Sequence, residues 1–217
     1  MTSAANAAAI GDHFGRCLAR AGRSVSPFEH WLIEDALPPA VCEAVIGLPF
    51  APPRIDDTRG KRETHNSTRI FFSAENRARF PVVEAVASAF QSPETVRRIE
   101  ALCRIALAGS SLRIEYCLDT DGFWLEPHTD IGAKLFTMLI YLSEGPYGTD
   151  LLDAQGNLVA TAPCHVGAGV IFVPGADTWH GFRRRRIEGV RRSLIVNYVK
   201  PEWRSRHELA YPEDPVS

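Results

Sequence analysis

Gly189-Val190-Arg191-Arg192-Ser193-Leu194-Ile195-Val196-Asn197-Tyr198-Val199 reads as a β-strand with two unlike faces. Side chains alternate along a strand, so Arg191, Ser193, Ile195, Asn197 and Val199 share one face, and Arg192, Leu194, Val196 and Tyr198 share the other. The first face brings an arginine and a hydroxyl together beside aliphatic residues. A guanidinium turned into a barrel is costly unless paired. A small dicarboxylic acid would pair with it bidentately while Ser193 donated one more hydrogen bond. A register shifted by one residue would instead turn Arg191 to solvent.

Working outward, the chain from Ser111 onward is a succession of short β-rich runs separated by turn residues: 112–118, 123–128, 134–142, 149–152, 158–161, 170–173 and 178–182. Together with 191–199 they suggest a closed or sandwiched antiparallel barrel. Before Ser111 helices predominate. Asp35 is placed to cap a helix that takes Pro38 and Pro39 in its first turn and stops at Gly47 and Pro49. A second helix begins near Pro81. A third has Ser92 as N-cap, Pro93 at its first position, an apolar stripe of Val96, Ile99, Leu102 and Ala106, and an end at Gly109. The Ala-rich start, with Arg16, Arg20 and Arg23, reads as a solvated surface helix, and 52–66 as a long polar loop of the kind that forms lids. The tail after Lys200 is expected to pack once and then fray. The organisation expected is one domain over 1–217: helices and strands in 1–110, a β core in 111–199, and a tail in 200–217.

The segment Pro127-His128-Thr129-Asp130 closes one of these runs. Residues two apart on a strand project to the same side, so His128 and Asp130 can share one ion while Thr129 points away. His180, in Trp179-His180-Gly181, lies 52 residues beyond His128 on a separate strand and supplies a third ligand. Two imidazoles and a carboxylate on one face of an octahedron leave three positions open, which suits non-haem Fe(II). Zinc more often takes a four-coordinate site. His13, His30, His65, His165 and His207 have no comparable context.

A length of 217 residues, 45% hydrophobic and 23% charged, fits a single folded domain, and a formal charge of -2 gives no global pull toward nucleic acid or membrane. Any anion site is therefore local. The cysteines, Cys17, Cys42, Cys103, Cys117 and Cys164, are scattered without a C-x-x-C pair, which favours a reducing, cytoplasmic setting over a disulfide framework.

Jointly, H-x-D, then His, then G-x-R-x-S-L about ten residues on, resembles the signature of the 2-oxoglutarate/Fe(II) oxygenase superfamily, in particular its prolyl-hydroxylase-like branch. The resemblance spans 113–199 and the strand and helix in 28–50. It implies a mainly β fold with flanking helices, a double-stranded β-helix of the jelly-roll, cupin-like kind. It implies Fe(II) on His128, Asp130 and His180, and 2-oxoglutarate on Arg191 and Ser193 as co-substrate with O2. A hydroxyl from the first core strand often also reaches 2-oxoglutarate; Tyr116 is the nearest candidate, with cross-strand packing as its alternative. The implied activity is hydroxylation with release of succinate and CO2. The substrate expected is a small molecule, lipid or glycan, free or conjugated, with no nucleic acid or membrane partner. Substrate contacts are sought at Asn66, Arg69, Trp124 and Asn197, and for Asn197 a place behind the metal ligands is also open. Many prolyl hydroxylases carry Tyr three residues before the first iron histidine, where this chain has Leu125. An enzyme acting on peptidyl proline is therefore the alternative. A non-oxygenase cupin-like metal barrel is another, although such barrels usually have histidine where Asp130 stands. The run Arg183 to Arg186 reads as a solvated hairpin, or as a greeting for an anionic substrate at the barrel mouth.

Overall fold

The computed structural model describes residues 3–217, with side chains from Asn6 onward. The first half contains α1 (Ser3–Leu18), β1 (Gly22–Ser24), β2 (His30–Ile33), α2 (Pro39–Ile46), β3 (Ile70–Phe71), α3 (Ala74–Arg79), α4 (Pro81–Gln91) and α5 (Pro93–Cys103). The second half contains β4 (Ser111–Asp119), β5 (Leu125–His128), β6 (Lys134–Tyr141), β7 (Asp150–Leu152), β8 (Leu158–Thr161), β9 (Gly169–Phe172), β10 (His180–Phe182) and β11 (Arg191–Val199). Each β-rich run expected after Ser111 is a strand, with ends moved by at most a few residues.

The strands form a 7-stranded sheet, ordered β1-β2-β9-β6-β11-β4-β3, and a 4-stranded sheet, ordered β5-β10-β7-β8. Every pairing is antiparallel, and among the described residues none joins one sheet to the other. The two sheets lie face to face and do not close into a barrel by hydrogen bonding. The strand β11 lies inside the larger sheet, paired with β4 from Arg191↔Asp119 to Val199↔Ser111 and with β6 on its other side. Both its faces are covered. Leu194, Val196 and Tyr198 pack with Ile114, Met138 and Ile140 against the helices, whereas Ile195 packs with Cys117, Leu139 and Tyr141 against the smaller sheet. The alternation in the sequence thus separates two cores, one under the helices and one between the sheets. Charged or polar residues on the second face lie in the wall between the sheets.

Several local expectations are corrected. Asp35 does not cap α2; it has φ 53, and the N-cap is Pro38. Ser92 caps α5 as expected, its Oγ accepting from Thr95 N at 3.3 Å, but the helix ends at Cys103 with Arg104 left-handed, well before Gly109. The first helix is amphipathic rather than merely solvated: Ile10, Phe14 and Cys17 are buried, and Phe14 meets Phe90 of α4 edge-on at 5.0 Å. The tail packs almost to its end, with Val216 buried and its N donating to Ser110 O at 2.8 Å. The polar segment 52–66 is anchored. Thr120 Oγ1 donates to Pro53 O at 2.9 Å, Trp124 N to Thr58 Oγ1 at 2.9 Å, Trp124 Nε1 to Asp57 Oδ1 at 2.6 Å, and Glu126 N to Gly60 O at 3.0 Å. A segment tied down at so many points is part of the wall, so the lid expected there is not what the fold builds. No helix among the described residues is long and apolar enough to cross a membrane.

Candidate metal and carboxylate site

His128 ends β5 and His180 opens β10, and the two are direct partners across the smaller sheet. Their rings lie 4.4 Å apart, centroid to centroid. Asp130 is two residues beyond the end of β5, so strand alternation does not aim it. It is aimed from the larger sheet. Thr137 Oγ1 of β6 donates to Asp130 Oδ2 at 2.6 Å, and Lys134 Nζ donates to Oδ1 at 2.5 Å. The potential ligand atoms of His128, Asp130 and His180 all lie within 4.8 Å of one another.

The tautomers follow from the carbonyls. His128 Nδ1 is 2.8 Å from Glu126 O and His180 Nδ1 is 2.9 Å from Thr178 O. A carbonyl can only accept, so each Nδ1 carries the proton and each Nε2 keeps a lone pair for a metal. Burial drives the His180 pKa down to about 4, opposed by the Asp130 carboxylate, so the ring is neutral near pH 7. For Asp130 burial opposes ionisation, but Lys134 and the other neighbours outweigh it and hold the carboxyl at about 2. A neutral pair of imidazoles and an ionised carboxylate are the forms a divalent cation needs. This donor set fits Fe(II).

The same ligands face a cavity of about 630 Å³ between the sheets, which reaches Arg191 at its other end. Arg191 is buried, with Nε donating to Tyr147 O at 2.7 Å and Nη1 to Asp119 Oδ2 at 2.5 Å. Its guanidinium lies over the Phe182 ring at 4.7 Å. The charge is thus already offset by Asp119, a partner that no local sequence pattern reveals, while Nη2 has no acceptor among the described residues. Ser193 Oγ, on the same face of β11, is buried without a hydrogen-bond partner. An unspent guanidinium nitrogen and an orphaned hydroxyl are what a carboxylate would satisfy.

Tyr116 is a correction. On β4 the face turned toward the smaller sheet carries Arg113, Glu115, Cys117 and Asp119, paired with Asn197, Ile195, Ser193 and Arg191; of these Arg113, Glu115, Ile195 and Arg191 line the cavity, and Ser193 does not. Tyr116 has the opposite parity and packs under the helices near Phe50, where it cannot reach the cavity. The candidate substrate contacts separate as well. Arg69 lines the cavity; Asn66 does not, and accepts from Arg69 Nη1 at 3.0 Å. Trp124 stands outside the lining and anchors Asp57. Asn197 is fully buried: Nδ2 donates to Thr137 Oγ1 at 2.9 Å and to Phe136 O at 3.2 Å, and Oδ1 accepts from Arg113 Nη1 at 3.3 Å. With its amide so engaged, Asn197 lies outside the cavity lining, linked through Thr137 to Asp130. Three of the four arginines of the run are engaged: Arg183 and Arg185 bind the buried Asp150, and Arg184 Nη2 donates to Asp57 Oδ2 at 2.7 Å.

No known family model matches the chain, and no curated protein matches it in sequence. Solved structures do match in shape. A prolyl-4-hydroxylase from Pseudomonas putida superposes with a TM-score of 0.56 at 15% identity, over 89% of this chain and 98% of that one. The fold is that of the prolyl hydroxylases. A prolyl hydroxylase from Trichoplax adhaerens, solved with a hypoxia inducible factor peptide fragment, matches at 0.55 and 12% identity over 90% of this chain and 91% of that one. SnoN, a non-haem α-ketoglutarate-dependent epimerase of nogalamycin biosynthesis, matches at 0.51 and 16%, over 89% and 84%. The prolyl-hydroxylase-like fold is therefore shared by proteins named for different reactions, and the particular chemistry rests on side chains.

Several residues of the site carry no motif in the sequence: Arg62, Arg113 and Glu115 line the cavity, and Asp119 and Tyr147 hold Arg191 from behind. A signal was present in β4, where Arg113, Glu115 and Asp119 put charge at every second place of an otherwise apolar strand, with only Cys117 interrupting. Charge on one face of a buried strand marks a polar wall.

Proposed function

We propose that this protein is an Fe(II)- and 2-oxoglutarate-dependent oxygenase built on a double-stranded β-helix, hydroxylating a small molecule. The observation that carries this is one cavity with the His128, Asp130 and His180 ligand atoms, within 4.8 Å of one another, at one end and Arg191 at the other. His128 and His180 would hold iron through Nε2 and Asp130 through its carboxylate, while Arg191 and Ser193 would hold the distal carboxylate of 2-oxoglutarate. When bound, iron and 2-oxoglutarate supply dioxygen-driven oxidation of a C–H bond coupled to decarboxylation to succinate. The chain's own part is orientation and exclusion of water. Glu126 O and Thr178 O fix the two imidazoles, Thr137 fixes the carboxylate, and Leu139, Ile195 and Phe182 line the wall between iron and Arg191.

The cavity volume falls in the range of small-molecule pockets, which supports a small substrate over a protein segment. The Asp130 and Arg191 pair also favours an oxygenase over a cupin-like metal barrel, which has no use for a buried cation at this position. The test is calorimetric: titration of the protein with Mn(II) as an inert stand-in, then 2-oxoglutarate. Binding of 2-oxoglutarate that requires the metal is expected. Succinate release under air with Fe(II) then screens metabolite pools for substrate. Failure of 2-oxoglutarate to bind the metal-loaded protein would sink the reading.

A further inference from the structure

On the β4–β3 side of the cavity, guanidiniums converge on one buried carboxylate. Glu115 Oε2 accepts from Arg69 Nη2 at 2.7 Å and Arg113 Nη2 at 3.3 Å, and Oε1 accepts from Arg69 Nε at 3.0 Å and Arg62 Nη1 at 3.4 Å. Burial opposes ionisation of Glu115, but the Arg62, Arg113 and Arg69 guanidiniums outweigh it and hold the carboxyl well below the usual range. Arg113 spends its other nitrogens on Glu208 at 2.6 Å and Asn197 at 3.3 Å, and Arg69 spends Nη1 on Asn66 at 3.0 Å. Both are fully engaged within the protein.

Arg62 is not. Nη1 alone is engaged, toward Glu115, toward Cys117 Sγ at 3.6 Å and toward Asp119 Oδ1 at 3.8 Å, whereas Nε and Nη2 have no acceptor among the described residues. Its side chain is 20% exposed, and its guanidinium sits 4.9 Å from the centroid of the Phe123 ring, which lines the same cavity as the metal ligands.

The charge count points the same way. Behind the mouth, four guanidiniums (Arg62, Arg69, Arg113, Arg191) face three carboxylates (Glu115, Asp119, Glu208), and Lys134 offsets Asp130. One positive charge is left over. Divalent iron and dianionic 2-oxoglutarate cancel each other and do not change that count. Lys61, Glu63 and Glu126 at the mouth are exposed and screened by solvent. A cation left uncompensated when a cavity fills and dries is costly.

We infer that the primary substrate carries a carboxylate, received by Arg62 through Nε and Nη2 with the substrate body against Phe123. A side-on, two-nitrogen contact is the geometry a planar guanidinium offers an acid group. The inference rests on the oxygenase reading, which assigns Arg191 to 2-oxoglutarate and leaves Arg62 for the substrate.

The test uses benzoate and benzamide, similar in shape and different in charge, titrated into protein loaded with Mn(II) and 2-oxoglutarate and followed by ligand-observed NMR. Benzoate is expected to bind at least about tenfold more tightly than benzamide, a factor one charge-assisted contact supplies. Arg62→Met should abolish that preference and Arg62→Lys should keep part of it. Equal affinity for the two probes, binding by neither, or a preference that survives Arg62→Met overturns the proposal. If Mn(II) and 2-oxoglutarate themselves fail to bind, the oxygenase reading has failed separately. The benzoate preference is then measured on the metal-free protein, wild type against Arg62→Met: a preference lost in the variant supports the Arg62 contact, and one that is absent or survives overturns it.

Discussion

Thr137 Oγ1 donates to Asp130 Oδ2 at 2.6 Å while accepting from Asn197 Nδ2 at 2.9 Å. The carboxylate of the candidate iron site is thus aimed by the larger sheet, although it follows a strand of the smaller one. The relay continues to Arg113, which donates to Asn197 Oδ1 at 3.3 Å.

Thr137→Val keeps the shape of the side chain and removes the hydroxyl. Loss of an orienting bond behind a metal ligand typically lowers metal affinity by about 10- to 100-fold. We expect that loss for Mn(II), measured by calorimetry, with the fold retained. Unchanged affinity would show that Lys134 and the loop geometry suffice to aim Asp130.

The two adjacent arginines of β11 should behave differently. Arg191 faces the cavity and Arg192 packs on the other side of the sheet, beside Tyr116. Two of the three Arg191 nitrogens are spent on Tyr147 and Asp119, which leaves Nη2 for the ligand rather than the two-nitrogen contact expected from the sequence; truncating one side of a charged pair in a partly dry site still costs about 2 to 5 kcal/mol. Arg191→Met should therefore weaken 2-oxoglutarate binding by at least about thirtyfold, and Arg192→Met should change it little. Because Arg191→Met removes the nearer of the two guanidiniums paired with Asp119, the variant is made in an Asp119→Asn background as well, with circular dichroism to check folding. Loss of affinity in the Arg192 variant with retention in the Arg191 variant would mean the inward and outward faces are exchanged.

Tyr116→Phe tests the parity of β4. The hydroxyl lies on the helix side, so 2-oxoglutarate affinity should stay within about twofold of wild type, against the roughly tenfold that loss of a direct hydrogen bond to a charged ligand would bring. A tenfold loss would return Tyr116 to the cavity.

Glu115 gives a pH dependence with a definite sign. Its folded pKa lies below the ordinary 4.5, so its contribution to stability is present above that value and is lost as pH falls below it. Glu115→Gln leaves three arginines with one fewer anion and should destabilise the fold by about 3 to 5 kcal/mol near neutrality. Chemical denaturation from pH 7 down to pH 3 should show the two proteins converging below about pH 4.5. A gap that stays constant or widens on acidification would show that the Glu115 carboxylate is not the group responsible.

Local rules make much of this molecule legible in its sequence. The period-2 pattern of 189–199 determines that Arg191 and Arg192 lie on opposite faces, because side chains alternate along a strand; which face meets the cavity is decided by the pairing of β11 with β4 and β6. Ser92-Pro93 determines where α5 begins, since capping is settled within one turn. The H-x-D and distant His pattern names three residues that the fold brings within 4.8 Å. What the sequence by itself could not determine lies in contacts between distant strands. Asp130 is aimed by Thr137 across a sheet-to-sheet gap, Arg191 is offset by Asp119 from 72 residues away, and Tyr116 turns away from the cavity because the parity of β4 is set only by its pairing with β11. The Arg62, Arg69, Arg113 and Glu115 cluster assembles from three segments, each ordinary alone. Charge pairing in a buried wall depends on distance in space, and only the tertiary structure decides which opposite charges meet.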